Sequence, residues 1–223
     1  MFDTFKSFFS SKSNVNDVLD IHKNIRKSVI RSQHCQRNWD LDRPVPQADI
    51  DLMIHAATQC PSKQNNAFYS LGVVQDRNII EQIHENTFGF RLFNEQQEII
   101  TNSQVLANVL FVFTGVEPSD RVMDKNKLDE NSDRGIITRD ANIALGIASG
   151  YLNLTSTMLG YSTGCCQCLD QKPIQDILNT NSEILLMMGI GHKNPELNRR
   201  VHHADHNKVF YSIPKETIEV THY

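Results

Sequence analysis

Asn108-Val109-Leu110-Phe111-Val112-Phe113-Thr114 is a continuous apolar run, bounded by polar residues and closed by Gly115. An unbroken hydrophobic segment of strand length, rich in Val and Phe, is what a central strand buried on both faces requires. Glu183–Ile190 (EILLMMGI) predicts a second buried strand, ended by Gly189 and Gly191. Outward from these two strands the periodicity turns helical. Val18, Leu19, Ile21, Ile25, Val29 and Ile30 recur at helical spacing from Val15 to Ile30. After a loop holding Pro44 and Pro46, the residues Ile50, Leu52, Met53, Ala56 and Ala57 predict the buried stripe of a helix stopped by Pro61 and Ser62. Tyr69–Gln75 predicts a short strand, and Ile79–Asn86 a short helix. Asp140–Gly160 is the clearest helix, with Leu145, Ala148, Leu152, Thr155 and Leu159 on one face. Its Ala, Gly and Ser content permits close approach of another helix or of a ring-shaped ligand. Pro118–Asp133 is charged and sparsely apolar, as a surface excursion would be. The tail Lys208–His222 alternates weakly, as an edge strand or an extended arm. Long helices with few strands predict an α+β fold.

Composition sets the outer bounds. A chain of 223 residues fits one large domain that buries roughly 70% of its unfolded surface, so no disulfide or metal staple is needed. The formal net charge of −4, from 22 basic and 26 acidic residues, makes a nucleic acid partner a poor match. Charged residues at 22% and hydrophobic ones at 39% exclude a disordered or low-complexity chain. No run of 18 apolar residues occurs, so neither a transmembrane helix nor a membrane partner is expected. Met1–Ser13 carries Phe2, Phe5, Phe8 and Phe9 but no continuous apolar core, so no secretory signal is expected. Cys35, Cys60, Cys165, Cys166 and Cys168 are odd in number, with three clustered. That is no disulfide framework, and it points to a reducing cytoplasm. With no internal repeat or linker, residues 1–20 are an expected N-terminal extension and 21–223 a single domain. The Phe spacing of the extension suits a short helix docking on a partner surface or, equally, a loosely ordered terminus.

Four polar segments could carry chemistry. Ser32–Asp40 (SQHCQRNWD) follows a helix end, and its donors, Arg37 above all, could hold a phosphate. By itself it reads first as a capped helix terminus with an Arg near the negative end of the dipole. Pro61–Tyr69 (PSKQNNAFY) offers side-chain amides, which suit an edge of alternating carbonyl and N–H groups. Alone it is a polar loop before a strand. Gly160–Cys168 (GYSTGCCQC), with histidines at 202, 203 and 206, raises zinc. Cys-Cys-x-Cys lacks the paired spacing that structural zinc prefers, so no metal is expected there. A buried segment lined with small, soft side chains is the simpler reading. Gly189–Pro195, followed by Asn198-Arg199-Arg200, places a basic pair after a glycine-ended strand. Such a pair could neutralise a phosphate or simply face water.

Taken in order, these segments resemble the nitroreductase family, flavoproteins that bind FMN between the subunits of an intertwined homodimer. The resemblance covers Ile25 to the C-terminus. Gln33, His34, Cys35, Gln36, Arg37, Asn38 and Trp39 occupy the family's opening Arg-x-Ser-x-(Arg/Lys)-x-(Phe/Tyr) element. Pro61, Ser62, Asn65 and Tyr69 match its Pro-Ser-x-x-Asn-x-x-x-(Trp/Tyr) motif. Ile143–Gly160 looks like its long helix, which leads into a flavin-covering strand. Gly191-His192 and Arg199-Arg200 look like its Gly-(His/Tyr) turn and later basic residue. The implied fold is a central, mostly antiparallel sheet flanked by helices.

The implied activity is electron transfer from NAD(P)H through FMN to a small oxidised acceptor, such as a nitroaromatic or a quinone, in ping-pong order. No side chain is expected to act as a catalytic acid or base, because the cofactor carries the chemistry. By resemblance, Arg37 stands near the N1/O2 edge of the flavin and Asn65, beside Ser62, at the pyrimidine edge. Cys165, Cys166, Gln167 and Cys168 line the ring, with backbone N–H groups around Gln167 and Cys168 facing N5. Arg200, helped by Arg199, holds the phosphate. Gln33 and Cys35 stand where the family has Arg and Ser, which implies a weaker or rearranged phosphate grip. Cys165–Cys168 replace a segment often carrying Pro or Glu-Gly, which implies a different substrate shape. Two other readings stay open: a flavin-binding or interaction protein with little turnover, and a flavin-dependent oxidase or dehalogenase on the same scaffold.

Overall fold

The computed structural model describes residues 15–91, 99–116, 130–211 and 213–222. Its helices are α1 (Val15–Ser32), α2 (Gln47–Thr58), α3 (Arg77–Glu85), α4 (Glu130–Met158) and α5 (Gln171–Ile177). Its strands are β1 (Tyr69–Val74), β2 (Phe90–Arg91), β3 (Ile99–Ile100), β4 (Val109–Gly115), β5 (Ser162–Cys166) and β6 (Ile184–Gly191). β2 and β3 form a small ribbon of their own, while the main sheet runs β1-β4-β6-β5. Every pairing in the main sheet is antiparallel. The two apolar runs that decide the fold, β4 and β6, are its central pair.

Side chains alternate across a strand, so a run apolar at every position feeds two cores. Val109, Phe111 and Phe113 face Ile50, Met53 and Ala57 of α2 and Ala148 and Leu152 of α4. Leu110 and Val112 turn the other way, toward Ile80 and Ile83 of α3 and Ile174 of α5. The result is a helix–sheet–helix sandwich with α+β topology. Gly189 lets β6 pass under the Ser103–Val105 turn; a Cβ there would collide with the Gln104 carbonyl and the Ala107 side chain. Asp76 caps α3 by accepting the N–H groups of Asn78 and Ile79 at 2.8 and 3.3 Å.

Local differences from the sequence reading have physical causes. Leu52 is exposed because Ile50, Met53 and Ala57, at i, i+3 and i+7, already define the inward face of α2. Among the described side chains of α1, the apolar positions point outward: Ile21, Ile25, Val29 and Ile30 are exposed, and the buried residue is Ser28. Its hydroxyl donates to the Thr157 carbonyl at 3.4 Å, where α1 crosses the end of α4. α4 begins at Glu130, so Glu130–Asp133 of the expected surface excursion are helical; residues 118–129 lie outside those described. Residues 1–14 do as well, and the boundary expected at residue 20 falls within α1. α5 and the β2–β3 ribbon have no counterpart in the sequence reading. The C-terminal segment makes one bridge, Val201 to Val209. It buries Phe210 to 1% exposure and then runs on as an exposed arm, with Ile213 at 76%. Among the described residues, no helix is long and apolar enough to cross a membrane.

Candidate functional site

The loop after α1 is stitched onto the β5 edge of the sheet. The Gln36 N–H donates to the Thr163 carbonyl at 2.7 Å. Gly164 allows this approach, since a Cβ there would lie 2.8 Å from the Gln36 oxygen. The Asp40 N–H donates to the His192 carbonyl, and the Asn194 N–H to the Asn38 carbonyl, both at 2.9 Å. Buried Asn38 sends its amide N–H groups to the carbonyls of Asn198 and Val201 at 2.7 and 2.8 Å. Trp39 Nε1 donates to the Ser103 carbonyl at 2.9 Å, and Ser103 Oγ to the Arg37 carbonyl at 2.6 Å. A loop so tied presents its side chains in fixed positions.

Those side chains form a thiol–guanidinium corner. The Arg37 guanidinium lies 4.4 Å from the centre of the Phe210 ring, a cation–π contact. Burial lowers the Arg37 pKa; the nearby Cys35 opposes that shift and Arg199 adds to it. Cys35 is half-buried and hydrogen bonded to the thiol of Cys165. That bond brings the Cys35 thiol down to about 6 against the effect of burial, helped by the Cys165 backbone N–H and by Arg37 and Arg199. Cys165 moves up as the partner that keeps its proton, and burial adds to the rise. Arg200 donates from Nε to the Phe210 carbonyl at 3.1 Å, and the Phe210 N–H returns to the Arg200 carbonyl at 2.6 Å. Two guanidinium groups around one thiol leave this corner with surplus positive charge, a donor set suited to a phosphate-bearing ligand.

The Ser62–Asn65 loop is elsewhere. It lines a cleft of about 530 Å³ with Gln59, Cys60 and Tyr69. The Ser62 hydroxyl closes the loop on the Asn66 carbonyl at 2.7 Å. Gln64 and Asn65 take left-handed conformations, with φ of 53° and 55°, which turns the exposed Asn65 toward solvent. Tyr69 anchors the loop from below through its hydroxyl, which donates to the Ala57 carbonyl. This loop and the thiol–guanidinium corner are diagonal opposites. β1 and β5 are separated by β4 and β6, or roughly 14 Å across the sheet. Tyr69 is level with Gly115, while Thr163 is level, through Ile190, with Val109, about 20 Å farther along the strands.

The structure therefore brings Cys35, Arg37, Cys165 and Arg199 together, with Arg200 beside them, and leaves Ser62 and Asn65 apart. Gln33 and His34 sit exposed in the turn ending α1, their N–H groups on the carbonyls of Ile30 and Arg31. Cys166 points to the opposite face of β5 from Cys165, into the α3/α5 core, where burial raises it to about 11. Gln167 and Cys168 are exposed beyond β5. Gln167 Nε2 donates to the Leu185 carbonyl at 3.0 Å, and the Cys168 carbonyl accepts the Phe88 N–H at 2.8 Å. Sequence reasoning missed Phe210 and the Asn38–Trp39–Ser103 scaffold. A lone Phe in an alternating tail does not announce a cation–π partner. Of the histidines considered for zinc, His202 and His203 pack their rings together, 4.5 Å between centres, and His203 lies 5.7 Å from His84; His206 is exposed. Among the described residues, no group of three His, Cys, Asp or Glu side chains could hold a metal ion.

Among curated proteins no relative matches the chain. Solved structures share its fold at low identity. A nitroreductase-like protein of Streptococcus mutans superposes with a TM-score of 0.57 at 18% identity, over 81% of this chain and 94% of that one. A candidate NAD(P)H:FMN oxidoreductase of Staphylococcus epidermidis gives 0.56 at 17%, over 78% and 89%. A candidate nitroreductase of Exiguobacterium sibiricum, solved in complex with FMN, gives 0.54 at 14%, over 77% and 91%. The nitroreductase family model matches residues 30–192, from the end of α1 through the His192 turn. That span takes in the stitched loop, the Asn65 loop, both central strands and β5, and with this architecture it establishes that the chain belongs to the nitroreductase family.

Proposed function

We propose that the chain is an FMN-dependent oxidoreductase that works as a homodimer, takes electrons from NAD(P)H and delivers them to a small oxidised acceptor such as a nitroaromatic or a quinone. The observation that carries this reading is the separation of the two motifs. The Arg37 corner and the Asn65 loop occupy diagonal corners of one chain, so a single cofactor can meet both only if a second copy supplies one of them. Surfaces suited to that second copy are present: the outward apolar stripe of α1, exposed Ile143, Tyr151 and Met158 on α4, and the apolar positions of the C-terminal arm.

FMN, when bound, supplies two-electron exchange between a reduced nicotinamide and the acceptor. The chain's own part is electrostatic and positional. Arg37, held by Phe210 and by its stitched backbone, offers a fixed cation to the ring edge where reduction places negative charge. Arg199 and Arg200 hold the phosphate, Arg199 from the Cys35 side and Arg200 from its anchor on Phe210. Asn65 hydrogen bonds the pyrimidine edge from the partner copy. Cys165 and Cys168 shape the wall against which the acceptor stacks. Five free thiols fit a cytoplasmic setting.

Colour is the test. The purified protein should be yellow, bleach anaerobically with NADPH or NADH, and regain colour with a quinone or nitroaromatic. A colourless protein that FMN cannot reconstitute overturns the reading. A yellow one inert to both nicotinamides moves it to an oxidase or dehalogenase on the same scaffold.

A further inference from the structure

We propose that Cys35 and Cys165 are a redox-responsive thiol pair that closes to a disulfide when a hydroperoxide reaches it. The two residues belong to different elements, the loop after α1 and strand β5. The Gln36–Thr163 hydrogen bond and the close pass at Gly164 fix those elements against each other. That packing sets Cys35 beside Cys165 across the loop–strand contact, the proximity a disulfide requires. Both side chains are half-buried, neither sealed in the core nor fully solvated.

The surroundings favour reaction at Cys35 in particular. Arg37 and Arg199 both act on it, and Cys165 donates to it. A part-exposed cysteine in an electropositive corner is the setting in which a thiol is held as the nucleophilic thiolate. Cys165 keeps its proton and stands ready as the resolving thiol. The other cysteines are placed differently. Cys166 faces the opposite core, Cys168 lies exposed past the strand end, and Cys60 is hydrogen bonded to the Ala57 carbonyl and to Tyr69 on the far edge of the sheet.

The chemistry closes on itself. The Cys35 thiolate attacks one oxygen of the hydroperoxide; the O–O bond breaks and leaves an alkoxide (hydroxide, for hydrogen peroxide) and Cys35 sulfenic acid. The Cys165 sulfur then displaces the sulfenic oxygen as water, and its proton neutralises the departing base. Two electrons pass from the two thiols to the O–O bond. An external dithiol returns the pair to its reduced form by exchange. Closure removes the thiolate charge and so raises the net positive charge of the corner by one. The pair belongs to this chain alone and does not depend on a flavin being bound.

Differential alkylation and peptide mass mapping of the purified full-length protein test it without reference to flavin activity. Before oxidation, limiting iodoacetamide at pH 7 should label Cys35 at least about tenfold faster than Cys166 or Cys60. Stoichiometric hydrogen peroxide should then remove two free thiols per chain, yield a Cys35–Cys165 linked peptide, and be reversed by dithiothreitol. Cys35→Ser should abolish the linkage. Cys165→Ala should instead leave Cys35 sulfenic acid that dimedone traps, and this covers the case in which Cys35→Ser folds poorly. If Cys35 and Cys165 stay alkylatable after peroxide, or the linked peptide joins other cysteines, the proposal is wrong.

Discussion

The two corners that carry the family motifs are built on opposite plans. The β5 corner is crossed by hydrogen bonds from four separate segments, and its Arg37 is fixed under an aromatic ring. The β1 corner is a single loop over an open cleft, turned outward by two residues in left-handed backbone. One is tied down within the chain, and the other stands open to solvent. The proposed site divided between two copies rests on that contrast, with a tied half and an exposed half.

The strongest blow to this contrast is truncation before Lys208, which removes both Phe210 and the arm. The expected result is loss of dimer and of bound FMN together, read by light scattering and absorbance. A particle of the truncated chain's own monomer mass that keeps FMN would break the divided-site model. Next, Phe210→Ala should cost about 3 kcal/mol of stability, the usual toll for a fully buried Phe, and should loosen Arg37; a melting curve in denaturant reads the first effect. Arg37→Ala should weaken FMN binding by roughly 1.5–3 kcal/mol, about 10- to 150-fold, since a charge-assisted contact is lost. Asn65→Ala should weaken it by only about 2- to 10-fold, as a neutral hydrogen bond does. Titrations showing equal losses at the two positions would erase the distinction between the corners.

The smallest effect expected is with pH. Burial first, then the neighbouring His202 and His84, bring His203 down to about 4. The folded state thus disfavours a proton that the unfolded chain accepts from the ordinary value of 6.5 downward. Between pH 6.5 and 4 the unfolded state binds more protons, so stability should rise with pH through that window and level off above it. His203 is only half-buried, and solvent screening keeps the slope shallow. His203→Asn should flatten it in a series of thermal melts; an unchanged slope would place the titration elsewhere.

Much of this was legible in the residues themselves. β4 and β6 announce their double burial because every position is apolar, and α4 shows a clean stripe. What the linear order could not display was direction. α1 carries as good an apolar stripe as α4, yet it buries Ser28 and leaves Ile25 and Val29 outside, because periodicity tells that a face exists and not what covers it. The motif residues Arg37 and Asn65 are 28 positions apart in sequence, and no spacing rule reveals that strand order sends them to opposite corners. The pairing of Cys35 with Cys165 was equally hidden, since it depends on a loop-to-strand contact between segments far apart in the chain.

Strand order has a further consequence, for how the chain reaches this state. The central neighbours β4 and β6 are separated in sequence by the whole of α4, β5 and α5. The sheet's middle pairing therefore cannot zip up from a hairpin and must wait for an entropically expensive chain closure. Until it forms, β4 is an unprotected ribbon of Val, Leu and Phe on the growing polypeptide, a template for pairing with other nascent chains. Productive folding should thus be slow and concentration-sensitive.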